Sequence, residues 1–161
     1  MTRQLLVLRH AKSAWPAGVA DLDRPLGPRG ERDSARIGRY LARCGLLPDH
    51  VVASPARRTV DTATAVLRAA GCAVGVVTDR SLYGGDPVMA LREVPESTSR
   101  LLVVGHEPDL VELLQVLCGA DVRLPTAALA LVELEAPWPL LPAGRGVLHL
   151  LVGPKLLGDV N

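Results

Sequence analysis

Four short apolar runs, each followed by a stretch of helical periodicity, limit what this chain can fold into. The run LLVL at residues 5–8 is continuous and apolar, as a strand covered on both faces must be. Pro28 suits a first helical turn, and Ile37, Tyr40, Leu41 and Cys44 follow at i, i+3, i+4 and i+7 until Gly45 supplies a stop. HVVAS predicts a second strand. Ser54 and Pro55 then read as the N-cap and first position of a helix whose Ala63, Val66, Leu67 and Ala70 share a face and which Gly71 ends. AVGVV, DPVMALREV, RLLVVGH and PDLVELLQVLCG give a third strand, a short helix, a fourth strand and a helix with Leu110, Leu113, Leu114 and Leu117 aligned.

This βαβαβαβα order implies a three-layer α/β/α sandwich, a mostly parallel central sheet with helices on both faces. ALALVEL and GVLHLLV, joined by the proline-rich EAPWPLLPAGR, are two further strands expected as an antiparallel edge. With 161 residues and no repeat or linker, one domain over residues 1–161 is expected.

Composition narrows the function classes. Net charge is +1 and aromatic content 2%, without phenylalanine, so neither a polyanion-binding surface nor base-stacking platforms are expected and no nucleic-acid partner is implied. The apolar run near the N-terminus is too short for a signal peptide, and none approaches a membrane span, so a cytoplasmic protein without membrane association is expected. Cys44, Cys72 and Cys118 are odd in number and lack C-x-x-C spacing, which suits reduced thiols serving as small core residues. Arg29, Arg32, Arg36, Arg39 and Arg43 read as a solvated helix face mixed with Glu31 and Asp33, the alternative being a docking surface for an acidic protein.

In parallel α/β folds, sites gather beyond the carboxyl ends of the strands. That rule selects three junctions: the first strand into Arg9 and His10, the second into Ser54-Pro55-Ala56-Arg57, and the fourth into Gly105 and His106. Arg57 falls where the positive end of a helix macrodipole disfavours a cation by ~0.3–1 kcal/mol, which makes sense if an anion lies between them. His106 precedes a helix expected to begin at Glu107-Pro108, whose free N–H groups suit an oxyanion. Two arginines and two histidines without clustered carboxylates or cysteines make a poor metal site and a good phosphate site. His10, with an unperturbed pKa of ~6.5, is then available as a nucleophile toward phosphorus.

RHAKS, SPARRTVDTA and VVGHEP together resemble the histidine phosphatase superfamily, the clan that includes phosphoglycerate mutases and acid phosphatases. The short chain most resembles its SixA-type phosphohistidine phosphatase branch, and DLDRPLGPRGERDSA is similar to that branch's D-x-x-R-P-L-T-x-x-G segment with Gly27 in place of Thr. The resemblance implies a phosphoglycerate mutase-like fold and no metal or organic cofactor. By it, His10 is the nucleophile that becomes phosphohistidine, and Arg9, Arg57 and His106 form the phosphate pocket. Ser13 and Trp15 match the mutase-like R-H-G-x-S-x-W-N pattern, whereas Ala11 and Pro16 depart from it; Ser13 is a further phosphate-binding candidate, and Trp15 a candidate for the site entrance.

The general acid that mutases and acid phosphatases carry has no clear counterpart, and Asp86 in SLYGGDPVMALREV is the nearest candidate. A phosphohistidine imidazole protonated on its other nitrogen departs neutral and needs less help than an alcohol. The expected substrate is a phosphohistidine-bearing protein such as a histidine phosphotransfer domain, or a small phosphorylated metabolite. The alternatives are a small-molecule phosphomonoesterase or mutase of the same superfamily, and a phosphate- or protein-binding module without turnover.

Overall fold

The computed structural model describes residues 2–141 and 145–158. Six strands form one sheet in the order β3-β2-β4-β1-β5-β6. They are β1 Arg3–Arg9, β2 His50–Ala53, β3 Val77–Thr78, β4 Arg100–Gly105, β5 Leu129–Leu134 and β6 Val147–Val152. The first four run parallel, β5 pairs antiparallel with β1, and β6 pairs antiparallel with β5. Four α-helices, α1 Pro28–Arg43, α2 Arg57–Ala70, α3 Pro87–Arg92 and α4 Asp109–Cys118, occupy the connections.

Strand alternation divides the core in two. Leu5 and Val7 of β1 join Leu101 and Val103 of β4 and the leucines of α4 on one face, where Ala90 and Leu91 of α3 also pack. Leu6 and Leu8 join Leu102 and Val104 against Ile37 and Leu41 of α1 and Ala63, Val66 and Leu67 of α2 on the other. The chain therefore leaves β1 toward one face and β4, its neighbour, toward the opposite face. Connections that diverge from adjacent parallel strands open a crevice at their carboxyl ends.

Two glycines permit close approach. A Cβ on Gly38 would lie 2.2 Å from the Val66 carbonyl oxygen, so α1 and α2 touch backbone to backbone there. A Cβ on Gly30 would lie 2.2 Å from the Lys12 carbonyl oxygen, so α1 lies directly beneath the segment that follows β1. Gly27 caps α1 without a side-chain hydrogen bond, and its N–H donates to Lys12 O at 2.9 Å.

Several local expectations shift. The third strand is only Val77–Thr78, because it lies at the sheet edge and pairs only with the last two residues of the four-residue β2. α4 begins at Asp109 rather than Glu107, and its Leu110 N–H donates to His106 O at 3.0 Å. Cys44 is exposed at the C-cap of α1, whereas Cys72 and Cys118 are partly buried; all three are free thiols. Asp33 is buried between Arg29 and Arg36, with ion pairs of 3.4 and 3.1 Å, instead of facing water. Trp138 is fully buried and donates its indole N–H to Thr98 O at 3.0 Å. The centre of the proline-rich connection, residues 142–144, lies outside the described residues, as do positions 1 and 159–161. Among the described residues no helix is long and apolar enough to cross a membrane.

Candidate active site

Register brings the three junctions together. Arg9 pairs with Gly105 across β1 and β4, so His10 and His106 leave neighbouring strand ends, with ring centroids 5.3 Å apart. Ala53 pairs with Val104 on the other side of β4, placing Ser54 at the same edge. A cavity of about 320 Å³ opens there. Arg9, Lys12, Arg24 and Arg58 supply its cations, His10 and His106 its imidazoles, and Glu107 its carboxylate, with Ser13, Trp15 and Thr126 completing the wall.

His10 is fixed before any ligand arrives. Its N–H donates to Gly105 O at 2.9 Å, its carbonyl accepts from Ala127 N at 3.1 Å, and Ala11 N donates to Thr62 Oγ1 at 3.0 Å. The ring Nδ1 lies 2.8 Å from Ala11 O. A carbonyl only accepts, so Nδ1 carries the proton and Nε2 keeps its lone pair. Burial lowers the His10 pKa to about 4; the Ala11 hydrogen bond acts in the opposite sense, and Arg58, Arg9 and Arg24 depress it further.

His106 is buried beside it. Nε2 lies 2.8 Å from Ser54 Oγ and Nδ1 lies 3.4 Å from an Arg58 nitrogen. A guanidinium cannot accept, so the neutral ring carries its proton on Nε2 and donates to Ser54. Burial, then the charges of Arg58 and His10, lower its pKa to about 4, with Asp21 opposing. The Tyr83 ring packs edge-on against it at 5.6 Å.

The arginine in the cavity is Arg58, and Arg57 does not reach it. Ser54 does not cap α2: its Oγ accepts from Ala56 N at 3.2 Å and meets His106, so the helix starts at Arg57 with Ala56 as N-cap. One helical step turns about 100°, so the two arginines point differently. Arg57 is 59% exposed and reaches Asp61 at 3.5 Å, whereas Arg58 is 8% exposed.

Asp21 organises the cationic wall from behind. Arg58 donates to Asp21 O at 2.7 Å and to Oδ2 at 3.1 Å, Arg24 to Oδ1 at 2.9 Å, and the Tyr83 hydroxyl to Oδ2 at 2.8 Å. The tyrosine hydroxyl, followed by the two arginines, holds the carboxyl at a pKa of about 2. Arg24 also donates to Ser13 Oγ, so Ser13 meets the cavity already engaged.

Arg9 donates to Glu107 at 2.7 Å and to Leu124 O at 2.8 Å. Its Nε is buried and has no partner among the described residues. A buried donor left unsatisfied costs about 1–3 kcal/mol.

Asp86 lies elsewhere. It is the exposed N-cap of α3, accepting from Val88 N at 3.0 Å, in a separate depression lined by Glu112, Leu113 and Val116. The cavity's own carboxylate is Glu107, already paired with Arg9. Lys12, Asp21, Arg24, Arg58, Tyr83, Glu107 and Thr126 were not singled out by the sequence pattern. Among the described residues no three His, Cys, Asp or Glu side chains gather to hold a metal ion. The arrangement is chemically suited to a tetrahedral dianion beside an unprotonated imidazole nitrogen.

The model of the histidine phosphatase superfamily (branch 1) matches residues 5–83. An uncharacterized protein of Mycobacterium tuberculosis (strain H37Rv) is 35% identical over 145 residues, covering 81% of this chain and 89% of that one. The structure of a candidate phosphohistidine phosphatase SixA from Nakamurella multipartitia superposes with a TM-score of 0.82 at 29% identity, over 96% of this chain and 97% of that one. A phosphoglycerate mutase from Bacillus anthracis shares the fold, with a TM-score of 0.69 at 14% identity over 98% and 96% of the two chains.

Proposed function

This chain belongs to the histidine phosphatase superfamily, with a SixA-type fold, and we propose that it removes a phosphoryl group from protein phosphohistidine through a covalent intermediate on His10. The observation that carries the reading is the His10 ring itself: Nδ1–H is tied to Ala11 O, and Nε2 keeps its lone pair in a cavity with three guanidinium groups. The likeness to a candidate phosphohistidine phosphatase supports the substrate class.

His10 Nε2 attacks phosphorus, a new N–P bond forms, and the P–N bond to the substrate imidazole breaks. Arg9, Arg24 and Arg58 neutralise the phosphoryl oxygens, the electrostatic work this transfer chiefly requires. His106, with its pKa lowered to about 4, is neutral; a dianion beside it favours its protonated form, which sets one more positive charge next to the phosphoryl oxygens. Water then attacks phosphorus, releasing phosphate and restoring His10. The departing imidazole, protonated on its other nitrogen, leaves neutral, so neither step demands the strong acid that an alkoxide requires. Asp86 has no part in this scheme.

The test compares kcat/KM for a phosphohistidine protein with that for an alkyl phosphate monoester under matched conditions. The expected ratio is at least about 100-fold in favour of phosphohistidine, since this site offers an alkoxide no free acid. Equal values contradict the assignment and favour a general phosphomonoesterase.

A further inference from the structure

The sequence holds two tryptophans, two tyrosines and no phenylalanine. Trp138 is fully buried, whereas Trp15 stands 74% exposed on the rim of the cavity that contains His10. An indole has a large apolar face, and leaving it in water is unfavourable unless something is to cover it.

This indole is also held still. The Arg24 guanidinium lies against one face, its Cζ 3.2 Å from the ring centroid. Arg24 is itself buried and tethered to Asp21 Oδ1 at 2.9 Å, to Ala14 O at 3.3 Å and to Ser13 Oγ. On the backbone, Ala14 N donates to Pro25 O at 2.9 Å, and Pro16 restricts Trp15 to extended geometry. Trp15 is therefore a fixed plane with one face closed by a cation and the other open beside the cavity.

From this geometry we infer that Trp15 is the leaving-group platform: its open face stacks a planar ring attached to phosphorus while the phosphoryl oxygens occupy the arginine-lined cavity. The inference rests on the reading of that cavity as a phosphoryl site. A planar ring matches the indole in shape and gains stacking that a flexible alkyl group cannot. An alkylammonium group is disfavoured, because Arg24 already engages the indole's quadrupole from behind and Lys12 shares the rim. Trp15 thus selects substrates whose phosphorus carries a heteroaromatic or aryl group over those carrying an alkyl chain.

Calorimetric titration of the full chain with phenylphosphonate and with methylphosphonate tests this without turnover. Wild type is expected to bind the phenyl compound about 5- to 10-fold more tightly. Trp15→Phe keeps most of that preference, and Trp15→Ala and Trp15→Leu reduce it to less than about 2-fold. Methylphosphonate binding without any ring preference, or a preference that survives in both the Ala and Leu variants, overturns the platform alone. Failure of wild type to bind methylphosphonate overturns the phosphoryl reading of the cavity and the platform with it.

Discussion

Replacing Arg58 by alanine removes a guanidinium that is 8% exposed, lies 3.4 Å from His106 and donates twice to Asp21. Losing one preorganised donor from a transferring oxyanion costs about 2.7–4 kcal/mol, or 10²–10³ in rate. Arg9 and Arg24 remain in the cavity, so kcat/KM should fall within that range and not reach the larger losses of a lone arginine. The stability cost is smaller. Asp21 keeps Arg24 at 2.9 Å and Tyr83 at 2.8 Å, and its side chain is 50% exposed, so its charge is not left dry. About 1–2 kcal/mol is expected in place of the 3–5 kcal/mol of a fully buried pair. Arg57→Ala is the control, since it removes only an exposed i,i+4 pair worth about 0.3–0.5 kcal/mol and should change kcat/KM by less than about 3-fold. Steady-state hydrolysis of a phosphohistidine protein together with thermal melting separates the two effects. An Arg57 variant that loses 100-fold while the Arg58 variant keeps its rate would refute the helix register and the cavity built on it.

Two further outcomes follow from the electrostatics. His10 and His106 bind protons less readily folded than unfolded, their pKa lowered from 6.5 to about 4, so the unfolded chain takes up more protons as pH falls through that window. Stability should therefore be constant above pH 6.5 and decline toward pH 4, by about 3 kcal/mol for buried His106; urea unfolding of wild type and His106→Gln across this range checks it, and an unchanged slope in the variant would exclude His106 as a source. Asp21, lowered from 3.8 to about 2, stabilises the fold throughout this window and loses that contribution only as pH falls from about 4 toward 2. Glu107→Gln removes the negative charge that competes with an anion for Arg9 at 2.7 Å, while its amide oxygen can still accept from the guanidinium. Inhibition by inorganic phosphate should strengthen about 3- to 10-fold with kcat nearly kept, whereas a 100-fold loss of kcat would identify Glu107 as the proton donor.

The layer arrangement was legible because it depends on periodicity over many residues, and the antiparallel edge because ALALVEL and GVLHLLV are short, almost wholly apolar runs with no helical periodicity between them. Convergence of Arg9, His10, Ser54 and His106 followed from parallel topology, which aligns strand ends whatever the side chains. Arg58 was also within reach. Counting back by four from Ala70 through Val66 and Thr62 lands on Arg58, whereas treating Ser54-Pro55 as a helix start puts the first turn two residues too early. Ser54 instead serves His106, a contact 52 residues apart that no local pattern encodes. Asp86 was misjudged for a similar reason: an Asp before a proline can cap a helix or face a site, and only the fold decides which. Asp21 and Arg24 sat in a segment noted only for its likeness to a family pattern. Their grip on Arg58 and Trp15 depends on how the loop folds back over α2.

The central claim is a phosphorylated His10. Rapid-quench labelling with a radiolabelled phosphohistidine protein, run on wild type and His10→Ala, tests it most directly. Wild type should show an acid-labile protein-bound label that rises and then decays into free phosphate, and the variant neither label nor release. Phosphate release that persists in the variant, or turnover in wild type with no trapped label on His10, would contradict it.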